Sequence, residues 1–504
     1  MGVVVGESPM ADPAYDVIVI GAGVVGSLVA RALSRYRLRI LLIEKESDVG
    51  TQASAGHASI VHAGYDPVPG SLKATLNVAA NRMWDTLAGE LGFTYDRCGD
   101  YVVAVGQGEV AALDALLERG RRNGVPGLAI ISGEEMRRRE PKVTPHVSGA
   151  LYAPTGGICS PFDVTVAAAE NAVMNGVTLM LETAFEDFVQ KDGRIVAVRT
   201  NRGTFGCRWA VNAAGLYADQ VMHCAGVRPG FVITPRRGEY VVLDRAEFRL
   251  GSVLFPVPTP VSKGIVVMKT THGNVILGPT AREVVERESP AVTRSGLAEV
   301  WQGAAKLIPD VAPRHAIATF AGLRAAGNAH CLTPGVDYGH DFIVEIPDEV
   351  RGFVNLGGIE SPGLTSAPAI AERVVELLRD AGEPLQERRD WNPIRPARLH
   401  FRDLDQEGRA RLVAQDPRYG RVVCRCETVM EGDIVAEIHA PIPARTYDAL
   451  KRRTWLGTGR CQGAFDTPRV VELLAAELGM SPFAVSKKGP GSELLARRTK
   501  QVED

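Results

Sequence analysis

The chain has 504 residues, of which 45% are hydrophobic and 23% charged, and its formal net charge is −2 at pH 7. This length and composition predict a soluble protein of two or three domains. The near-zero charge and the lack of a long basic block argue against a nucleic-acid partner. Apolar runs are too short for a transmembrane span, and the start of the chain lacks signal-peptide features. We expect a cytoplasmic protein, either free or peripheral to the inner face of the membrane.

After residues 1–14, which we expect to be flexible, the segment YDVIVIGAGVVGSLVARALSRYRLRILLIE carries a dinucleotide-binding pattern. DVIVI predicts a buried parallel strand, SLVARALSRY a helix and RILLIE a second strand. Glycines at G-x-G-x-x-G spacing let the backbone approach a pyrophosphate at the helix N-terminus. Glu44 can accept hydrogen bonds from a ribose diol, which argues against a 2′-phosphate there. The predicted cofactor-binding residues of this segment are Gly21, Ala22, Gly23, Val24, Val25, Gly26, Glu44 and Lys45.

A second segment, YVVAVGQGEVAALDALLERG, repeats this pattern with Gly106, Gly108 and Ala111. Here Glu109 stands at the helix start and would repel a phosphate, so we predict a plain strand, turn and helix. The rest of the sequence shows no convincing second nucleotide fingerprint, whereas flavoproteins reduced by NAD(P)H commonly carry two such modules. The single site therefore predicts bound FAD, with the organic substrate itself supplying the hydride.

The segment ASAGHASIVHAGYDPVPGSLKATLNVAANRMW resembles FAD-dependent glycerol-3-phosphate dehydrogenases of the D-amino-acid-oxidase-like group. L-2-hydroxyglutarate dehydrogenases carry a similar segment. Further matches include PTGGICSPFDVTVAAAENA, VNAAGLYAD, PRRGEYVVLD, FPVPTPVSKGIVV, THGNVILGPTA, GLRA and GGIESPGLTSAPAIAERV, in the order that the family has them. The resemblance leaves the substrate open, since related members oxidise different hydroxy acids, amino acids and opines.

The resemblance implies an α/β (α+β) fold with a Rossmann-type FAD-binding domain and an antiparallel-sheet substrate domain, together spanning residues 15–385. FAD-binding segments are expected at about 15–90, 150–225 and 340–385, and the substrate domain at about 90–150 and 225–340. A helix start near Gly363 to Ser366 can bind the flavin's pyrimidine oxygen, where negative charge grows on reduction. The further cofactor-binding residues implied are His57, Ser59, Ala213, Ala214, Gly215, Gly358, Gly363, Leu364 and Thr365.

Candidate catalytic residues follow from the need for a proton acceptor beside the flavin. His62 is the best candidate base because its ordinary pKa lies near neutrality, although it can instead simply pack beside the ring. Arg324 in GLRA is the best anchor for an anionic substrate, and a surface salt bridge is its alternative role. Tyr65 can line the pocket or pack. Weaker substrate-binding candidates are Lys73, Arg236, Arg237 and His272, and for the last of these we favour a structural role.

Residues 386–420 are rich in charge and proline, as a linker is, and are followed by CRCE, EGDIVAEIHA, YDALKRRTWLGTGRCQG and PRVVELLAAELG. Residues 421–485 resemble the small helical [2Fe-2S] domain of bacterioferritin-associated ferredoxin, in which four cysteines hold the cluster. The present chain supplies Cys424, Cys426 and Cys461, with Asp466 where the fourth would fall. We expect residues 486–504 to form a mobile tail.

Three interpretations of Asp466 stay open. An Asp-ligated [2Fe-2S] cluster is chemically permissible and is the one we favour. The cluster can instead be lost, leaving a docking module, or zinc can take its place. Asp466 can also be the N-cap of the following helix, with Pro468 just inside it, which need not exclude ligation.

The sequence therefore predicts a dehydrogenase that carries FAD and a [2Fe-2S] cluster and oxidises a small anionic alcohol, with glycerol 3-phosphate the leading substrate. Electrons would leave through the cluster to an acceptor protein, a flavoprotein partner subunit or a quinone. The alternatives are a 2-hydroxy acid, such as L-2-hydroxyglutarate, an amino acid or an opine as substrate, or a non-catalytic electron-transfer subunit of a larger complex.

Overall fold

A computed structural model describes residues 15–56, 58–258, 263–288, 291–327 and 341–498. The strands, in chain order, are β1 (Tyr15–Ile20), β2 (Ile40–Ile43), β3 (Ile60–Val61), β4 (Tyr95–Asp96), β5 (Asp100–Val105), β6 (Ala129–Ser132), β7 (Val147–Ala153), β8 (Gly157–Cys159), β9 (Thr178–Met180), β10 (Phe185–Lys191), β11 (Arg194–Thr200), β12 (Gly203–Asn212), β13 (Ile233–Leu243), β14 (Val253–Pro256), β15 (Val266–Lys269), β16 (Val275–Gly278), β17 (Arg282–Glu283), β18 (Ala316–Gly327), β19 (Ile343–Glu345), β20 (Phe353–Gly357), β21 (Val422–Cys424) and β22 (Val429–Met430).

The helices are α1 (Val24–Leu33), α2 (Leu72–Asn81), α3 (Trp84–Leu91), α4 (Val110–Arg122), α5 (Gly133–Arg139), α6 (Pro161–Met174), α7 (Ala218–Cys224), α8 (Arg294–Leu307), α9 (Gly363–Asp380), α10 (Gln406–Gln415), α11 (Glu431–Ile438), α12 (Tyr447–Thr454) and α13 (Thr467–Leu478). Within the described ranges, none of these helices has the length and apolar character needed to span a bilayer.

The first sheet is the predicted dinucleotide-binding sheet. Its strands run in the order β10-β11-β12-β1-β2-β9, with β20 beside β12 and β19 beside β20. The strands β9, β2, β1, β12 and β20 are parallel to one another, and β1 and β2 are buried almost throughout. Helices α6 and α9 pack on α1. This arrangement brings three separate chain segments to the carboxyl ends of the parallel strands, where ligands bind in such sheets.

The second sheet is mostly antiparallel, as the sequence predicts. Its order is β17-β13-β16-β15-β14-β5-β7-β6, with β18 also paired to β13. Strand β14 pairs with β5 in parallel, which the sequence did not indicate. Within the second fingerprint-like segment, Glu109 accepts a hydrogen bond from the Val105 N–H at 2.8 Å, so its carboxylate occupies the turn itself. The predicted plain strand, turn and helix is confirmed there by β5 and α4.

The C-terminal helical domain is docked on the dinucleotide-binding domain through buried ion pairs. Asp48, which follows β2, accepts hydrogen bonds from Arg453 at 2.7 Å and from Arg452 at 2.8 Å. Arg395 and Arg398 lie in the expected linker and pair with Glu170 of α6. Arg398 also pairs with Glu437 of α11. The expected linker is therefore a packed connection, and it includes helix α10.

Residues 486–498, which we expected to belong to a mobile tail, instead contact the start of α12. The Tyr447 N–H donates to the Ser486 carbonyl at 3.1 Å, and the Asp448 N–H donates to the Lys487 carbonyl at 2.8 Å. The Lys487 ammonium also pairs with the Asp448 carboxylate at 2.8 Å. The first backbone N–H groups of α12, which have no partner within the helix, thus hold this segment. Amino-acid composition alone does not predict such contacts.

Candidate functional site

The glycine loop after β1 opens onto a cavity of about 470 Å³. Most of the predicted cofactor-binding residues line it: Gly21, Gly23, Val24, Val25, Glu44, Lys45, Ala213, Ala214, Gly215, Gly363 and Leu364. The cavity therefore runs from the first phosphate loop, past the turn after β12, to the start of α9. This is the path on which an extended dinucleotide can lie.

Close backbone contacts require two of the three glycines of the loop. A Cβ on Gly26 would lie 1.9 Å from the Gly21 carbonyl oxygen. Gly21 has a φ of +100°, and a Cβ there would lie 2.7 Å from the Ala213 carbonyl oxygen. A Cβ on Gly23 would meet only the Ser54 hydroxyl, at 3.2 Å, so this glycine faces the cavity. The loop thus fits a pyrophosphate that approaches the backbone at the N-terminus of α1.

Glu44 holds this loop from the neighbouring strand. Its carboxylate accepts the Ala22 N–H at 2.8 Å and the Glu46 N–H at 3.1 Å. Burial raises the pKa of Glu44, against the lowering effect of these two hydrogen bonds. A ribose diol reaching this carboxylate would add further donors to it, so its position suits the predicted role.

The remaining predicted cofactor-binding residues lie around the cavity without lining it. Ala22 bonds Glu44, Gly26 packs against Gly21, and Thr365 accepts the His62 N–H at 2.9 Å. Ser59 is buried and Gly358 follows β20, so both lie behind the lining. His57 lies outside the described residues.

His62 follows β3 and is held by its backbone on two sides. Its carbonyl accepts hydrogen bonds from Asn77 at 3.0 Å and Asn81 at 3.1 Å, both on α2. Its ring Nε2 lies 3.4 Å from the hydroxyl of Ser361, which precedes α9 and lines the FAD-sized cavity. The imidazole therefore lies beside the start of α9, at the end of the cavity where the flavin is expected.

Tyr65 lies on the other side of His62, and both line a small separate cavity. The Tyr65 side chain is part of the core beneath the second sheet. Burial, and then the nearby carboxylates of Asp100 and Asp66, raise the pKa of Tyr65 well above its ordinary value. The phenol thus stays neutral, and its position favours packing over contact with substrate.

Three of the predicted cations come together at the flavin end of the cavity. Arg236 of β13 and Arg324 of β18 are direct cross-strand neighbours. Lys73 of α2 forms an ion pair of 3.1 Å with Glu360, and both side chains are largely buried. Burial alone would raise the pKa of Glu360, but Lys73, Arg236 and Arg324 together lower it. Arg324 and Glu360 both line the cavity, so the cluster faces the space that a substrate would enter.

Two predicted substrate-binding residues are not part of this cluster. Arg237 lies 3.0 Å from Glu239, a fully buried carboxylate that also accepts the Thr293 N–H before α8. Neighbouring residues of a strand point to opposite faces, so Arg237 faces away from Arg236. His272 lies against Trp455 of the C-terminal domain, with ring centroids 3.7 Å apart. Burial, followed by nearby cations, lowers the pKa of His272 to about 2. Neither Arg237 nor His272 lines the cavity, and the contacts of both residues favour structural roles.

The three predicted thiolate ligands converge in the C-terminal domain. Cys426 and Cys461 have sulfurs 3.3 Å apart, and Cys424 lies 3.7 Å from Cys426 and 3.9 Å from Cys461. A tetrahedron with metal–sulfur bonds near 2.3 Å has an edge of roughly 3.8 Å, which these separations approach. They form the group of potential metal ligands found among the described residues. The donor set therefore fits a thiophilic metal.

Asp466 is fully buried beside these thiols. One carboxylate oxygen lies 3.7 Å from the Cys461 sulfur, and the other accepts a hydrogen bond from the Tyr447 hydroxyl at 2.6 Å. Asp466 does stand at the N-cap position of α13, but its side chain makes no capping hydrogen bond. The carboxylate is thus turned toward the cysteines and away from the helix N-terminus.

Two functional residues were missed by sequence reasoning. Ser54 accepts the Val24 N–H at the start of α1 at 3.0 Å and lines the cavity. Glu360 is the counter-ion of the cation cluster. Both stand inside the quoted motifs, ASAGHAS and GGIESPG, so the signal was present. The sequence does not show where the two side chains point, because their directions depend on contacts between distant segments.

Comparison with protein families gives two matches. Residues 16–377 match the FAD dependent oxidoreductase family, which is most of the chain. Residues 422–476 match the BFD-like [2Fe-2S] binding domain. The second match contains all three convergent cysteines and Asp466. Both matches agree with the two predicted cofactors, FAD and a [2Fe-2S] cluster.

Relatives cover this architecture to different extents. The glycerol 3-phosphate dehydrogenase of Caloramator mitchellensis is 41% identical over 96% of this chain and 99% of its own. The glycerol 3-phosphate oxidase of Mycoplasma genitalium is 30% identical over 75% of this chain and 97% of its own. A quarter of the present chain thus has no counterpart in that oxidase.

The solved structure of dithionite-reduced L-alpha-glycerophosphate oxidase from Mycoplasma pneumoniae, with FAD bound, superposes with a TM-score of 0.69 at 30% identity. It covers 76% of this chain and 99% of its own. A glycerol-3-phosphate dehydrogenase from Bacillus halodurans, at 15% identity, shares the fold with a TM-score of 0.66 over 94% of this chain and 92% of its own. On this sequence and structural evidence, the chain belongs to the FAD dependent oxidoreductase family and carries a C-terminal BFD-like [2Fe-2S] binding domain.

Proposed function

We propose that this protein is a dehydrogenase that oxidises glycerol 3-phosphate and passes the electrons on through its C-terminal domain. The observation that carries the proposal is the cation cluster at the flavin end of the cavity, where Arg324 and Arg236 stand side by side. Like charges directly opposite each other destabilise a sheet, so the pair indicates that an anion binds there. Relatives named for glycerol 3-phosphate support the choice of anion.

In the proposed reaction, Arg324 binds the phosphate and orients the glycerol backbone toward the cavity. His62 accepts the proton of the secondary hydroxyl as the carbon–hydrogen bond at that carbon breaks, which leaves a ketone. FAD, when bound, supplies the hydride acceptor. Thr365, Asn77 and Asn81 fix the backbone of His62, so the imidazole approaches the hydroxyl from a set position.

The electron route follows from the domain arrangement. The C-terminal domain is attached by buried ion pairs, so its thiols keep a constant place relative to the FAD cavity. Phe465, next to Asp466, is 83% exposed and supports contact with an external acceptor there. We propose an acceptor protein, a flavoprotein partner subunit or a quinone in a cytoplasmic setting.

The test of this function is anaerobic flavin bleaching with a panel of substrates. Glycerol 3-phosphate should bleach the flavin and sustain turnover with an artificial acceptor, whereas glycerol, which lacks the anion, should not. Bleaching by L-2-hydroxyglutarate or an opine, but not by glycerol 3-phosphate, would reassign the substrate. Failure of every substrate, with flavin still reducible by dithionite, would favour a non-catalytic electron-transfer subunit.

We further propose that Asp466 is the fourth ligand of a [2Fe-2S] cluster, with Cys424, Cys426 and Cys461 as the others. The buried carboxylate beside Cys461 supports this role. Protein reconstituted anaerobically should contain about two irons and two sulfides per chain. Asp466→Cys should keep the cluster and change its reduction potential, whereas Asp466→Ala should make it labile. Stoichiometric zinc, or iron content that Asp466→Ala leaves unchanged, would contradict the assignment.

A further inference from the structure

The cation cluster contains one buried carboxylate, Glu360, that has no part in the proposed reaction. Glu360 stands between the cavity and Lys73, and it lies within the electrostatic reach of Arg236 and Arg324. Three cations therefore surround a single counter-ion. The Nε of Arg324 is buried without a hydrogen-bond partner, and its Nη2 donates to the Thr280 carbonyl at 2.8 Å. The cluster thus retains donor capacity and a surplus of positive charge.

The other carboxylates near the cluster do not balance this surplus. Asp341 accepts the Leu72 N–H and the Lys73 N–H, both at 2.9 Å, so its negative charge faces the positive end of the α2 helix dipole. Glu283 is 3.8 Å from Arg236, but its side chain is 66% exposed, so solvent screens it. Glu239 is engaged with Arg237 on the opposite face of β13. Within the described ranges, Glu360 is the buried counter-ion of the three cations.

We infer that Glu360 sets the net charge of this anion site and matches it to the charge of a phosphate monoester. Its carboxylate cancels one of three positive charges, and a surplus of two remains. A phosphate monoester carries close to two negative charges at neutral pH, whereas a carboxylate carries one. The inference rests on the proposed function, because it assumes that the substrate's anionic group enters the cluster.

Affinity for an anion should follow the summed charge of the site. Glu360→Gln leaves three uncompensated cations, and Lys73→Met leaves one. The double variant restores a surplus of two without the ion pair. A unit charge several ångströms away in a partly desolvated site changes the binding of a dianion by about tenfold or more. The same change should alter the binding of a monoanion by only about threefold.

The experiment measures the dissociation constants of inorganic phosphate and of acetate on the FAD-loaded full chain at pH 7.5, from the perturbation of flavin absorbance. Glu360→Gln should bind phosphate about tenfold more tightly than the parent protein, and Lys73→Met about tenfold more weakly. The double variant should return to within about threefold of the parent. Acetate should follow the same order with about threefold steps. Glu283→Gln, which removes an exposed carboxylate near Arg236, is the matched control and should change phosphate binding less than twofold.

Weaker phosphate binding by Glu360→Gln would overturn the inference, because Glu360 would then be holding the site's structure or contacting the ligand. A double variant that behaves like either single variant would also overturn it, since binding would not follow summed charge. If Glu360→Gln does not fold with flavin, Lys73→Met and the double variant still decide the question. The proposed function is separable: glycerol 3-phosphate can fail to bleach the flavin while phosphate still follows the charge series, and the reverse can also occur.

Discussion

Two arginine-rich clusters of this protein differ in how far their charges are balanced. At the domain interface, Arg395, Arg398, Arg452 and Arg453 meet Asp48, Glu170 and Glu437, so four cations face three carboxylates. At the end of the FAD cavity, Lys73, Arg236 and Arg324 have Glu360 as their buried counter-ion, and the Glu283 carboxylate near Arg236 is largely exposed.

The difference separates a structural cluster from a binding one. A buried charge needs a partner, and at the interface the partner is part of the chain. Beside the cavity the chain supplies only part of the negative charge that the cations need. An anionic ligand would supply the rest. Burial of arginine alone would not have distinguished the two clusters, but counting the counter-ions does.

Breaking the domain-interface cluster should have the largest effect on stability. Asp48→Asn leaves the fully buried Arg453 without its main partner, so the free energy of unfolding should fall by about 3–5 kcal/mol. Urea denaturation followed by far-UV circular dichroism measures this loss. Arg411→Ala, which removes an exposed partner of Glu407, is the control and should cost less than about 1 kcal/mol. Equal losses of unfolding free energy in the two variants would show that the buried interface pair stabilises the protein no more than an exposed ion pair does.

Removing an arginine from the unbalanced cluster should instead harm binding and spare stability. Arg324→Ala should lower kcat/KM for glycerol 3-phosphate roughly 10- to 150-fold, mainly through KM, because it removes charged hydrogen bonds to the anion. Its stability should stay equal or rise slightly, since the repulsion with Arg236 is relieved.

The matched control for Arg324 is Arg237→Ala, on the opposite face of β13. It should change KM less than about threefold but destabilise the protein, because Glu239 loses its ion pair while fully buried. Steady-state kinetics with an artificial acceptor and thermal unfolding separate the two variants. A large rise in KM for Arg237→Ala would place that residue in the substrate site after all.

The contrast also explains how much of this molecule could be predicted from its sequence. The β1–loop–α1–β2 unit and its glycines rest on local spacing, so they were predictable in detail. The clusters rest on non-local contacts. Asp48 and Arg453 are 405 positions apart, and the pairing of Arg236 with Arg324 depends on the register of β13 with β18. A structural role for His272 was favoured from the sequence, but its partner Trp455 lies in the C-terminal domain and could not be predicted from local spacing.

The pH dependence of stability should report on the domain-interface cluster. Burial alone would raise the pKa of Asp48, but Arg453 and Arg452 lower it well below its ordinary value. A carboxylate with a lowered folded pKa stabilises fully above its unfolded pKa, near 3.9, and loses that contribution as the pH falls toward the folded pKa. The stability difference between the parent and Asp48→Asn should therefore be constant from pH 5 to 8.

Below about pH 4, that difference should shrink, by at most about 1.4 kcal/mol per pH unit. Urea denaturation of both proteins across this range measures it. A difference that instead shrinks between pH 5 and 8 would mean that a group other than Asp48 controls the interface.

Ionic strength should produce the smallest effect and the clearest contrast between the clusters. The binding cluster opens onto the FAD cavity, so salt ions can reach it, whereas the Asp48–Arg453 pair is almost fully buried. The Debye length falls from about 10 Å at 0.1 M salt to about 3 Å at 1 M, which weakens charge attraction across solvent but affects buried pairs much less. Raising sodium chloride from 0.05 to 0.5 M should therefore increase KM for glycerol 3-phosphate by about three- to tenfold. The stability difference between the parent and Asp48→Asn, measured in urea because it is uncharged, should change by less than about 0.5 kcal/mol. A flat KM together with a salt-sensitive difference would reverse the assignment, and the surplus beside the cavity would no longer indicate a ligand.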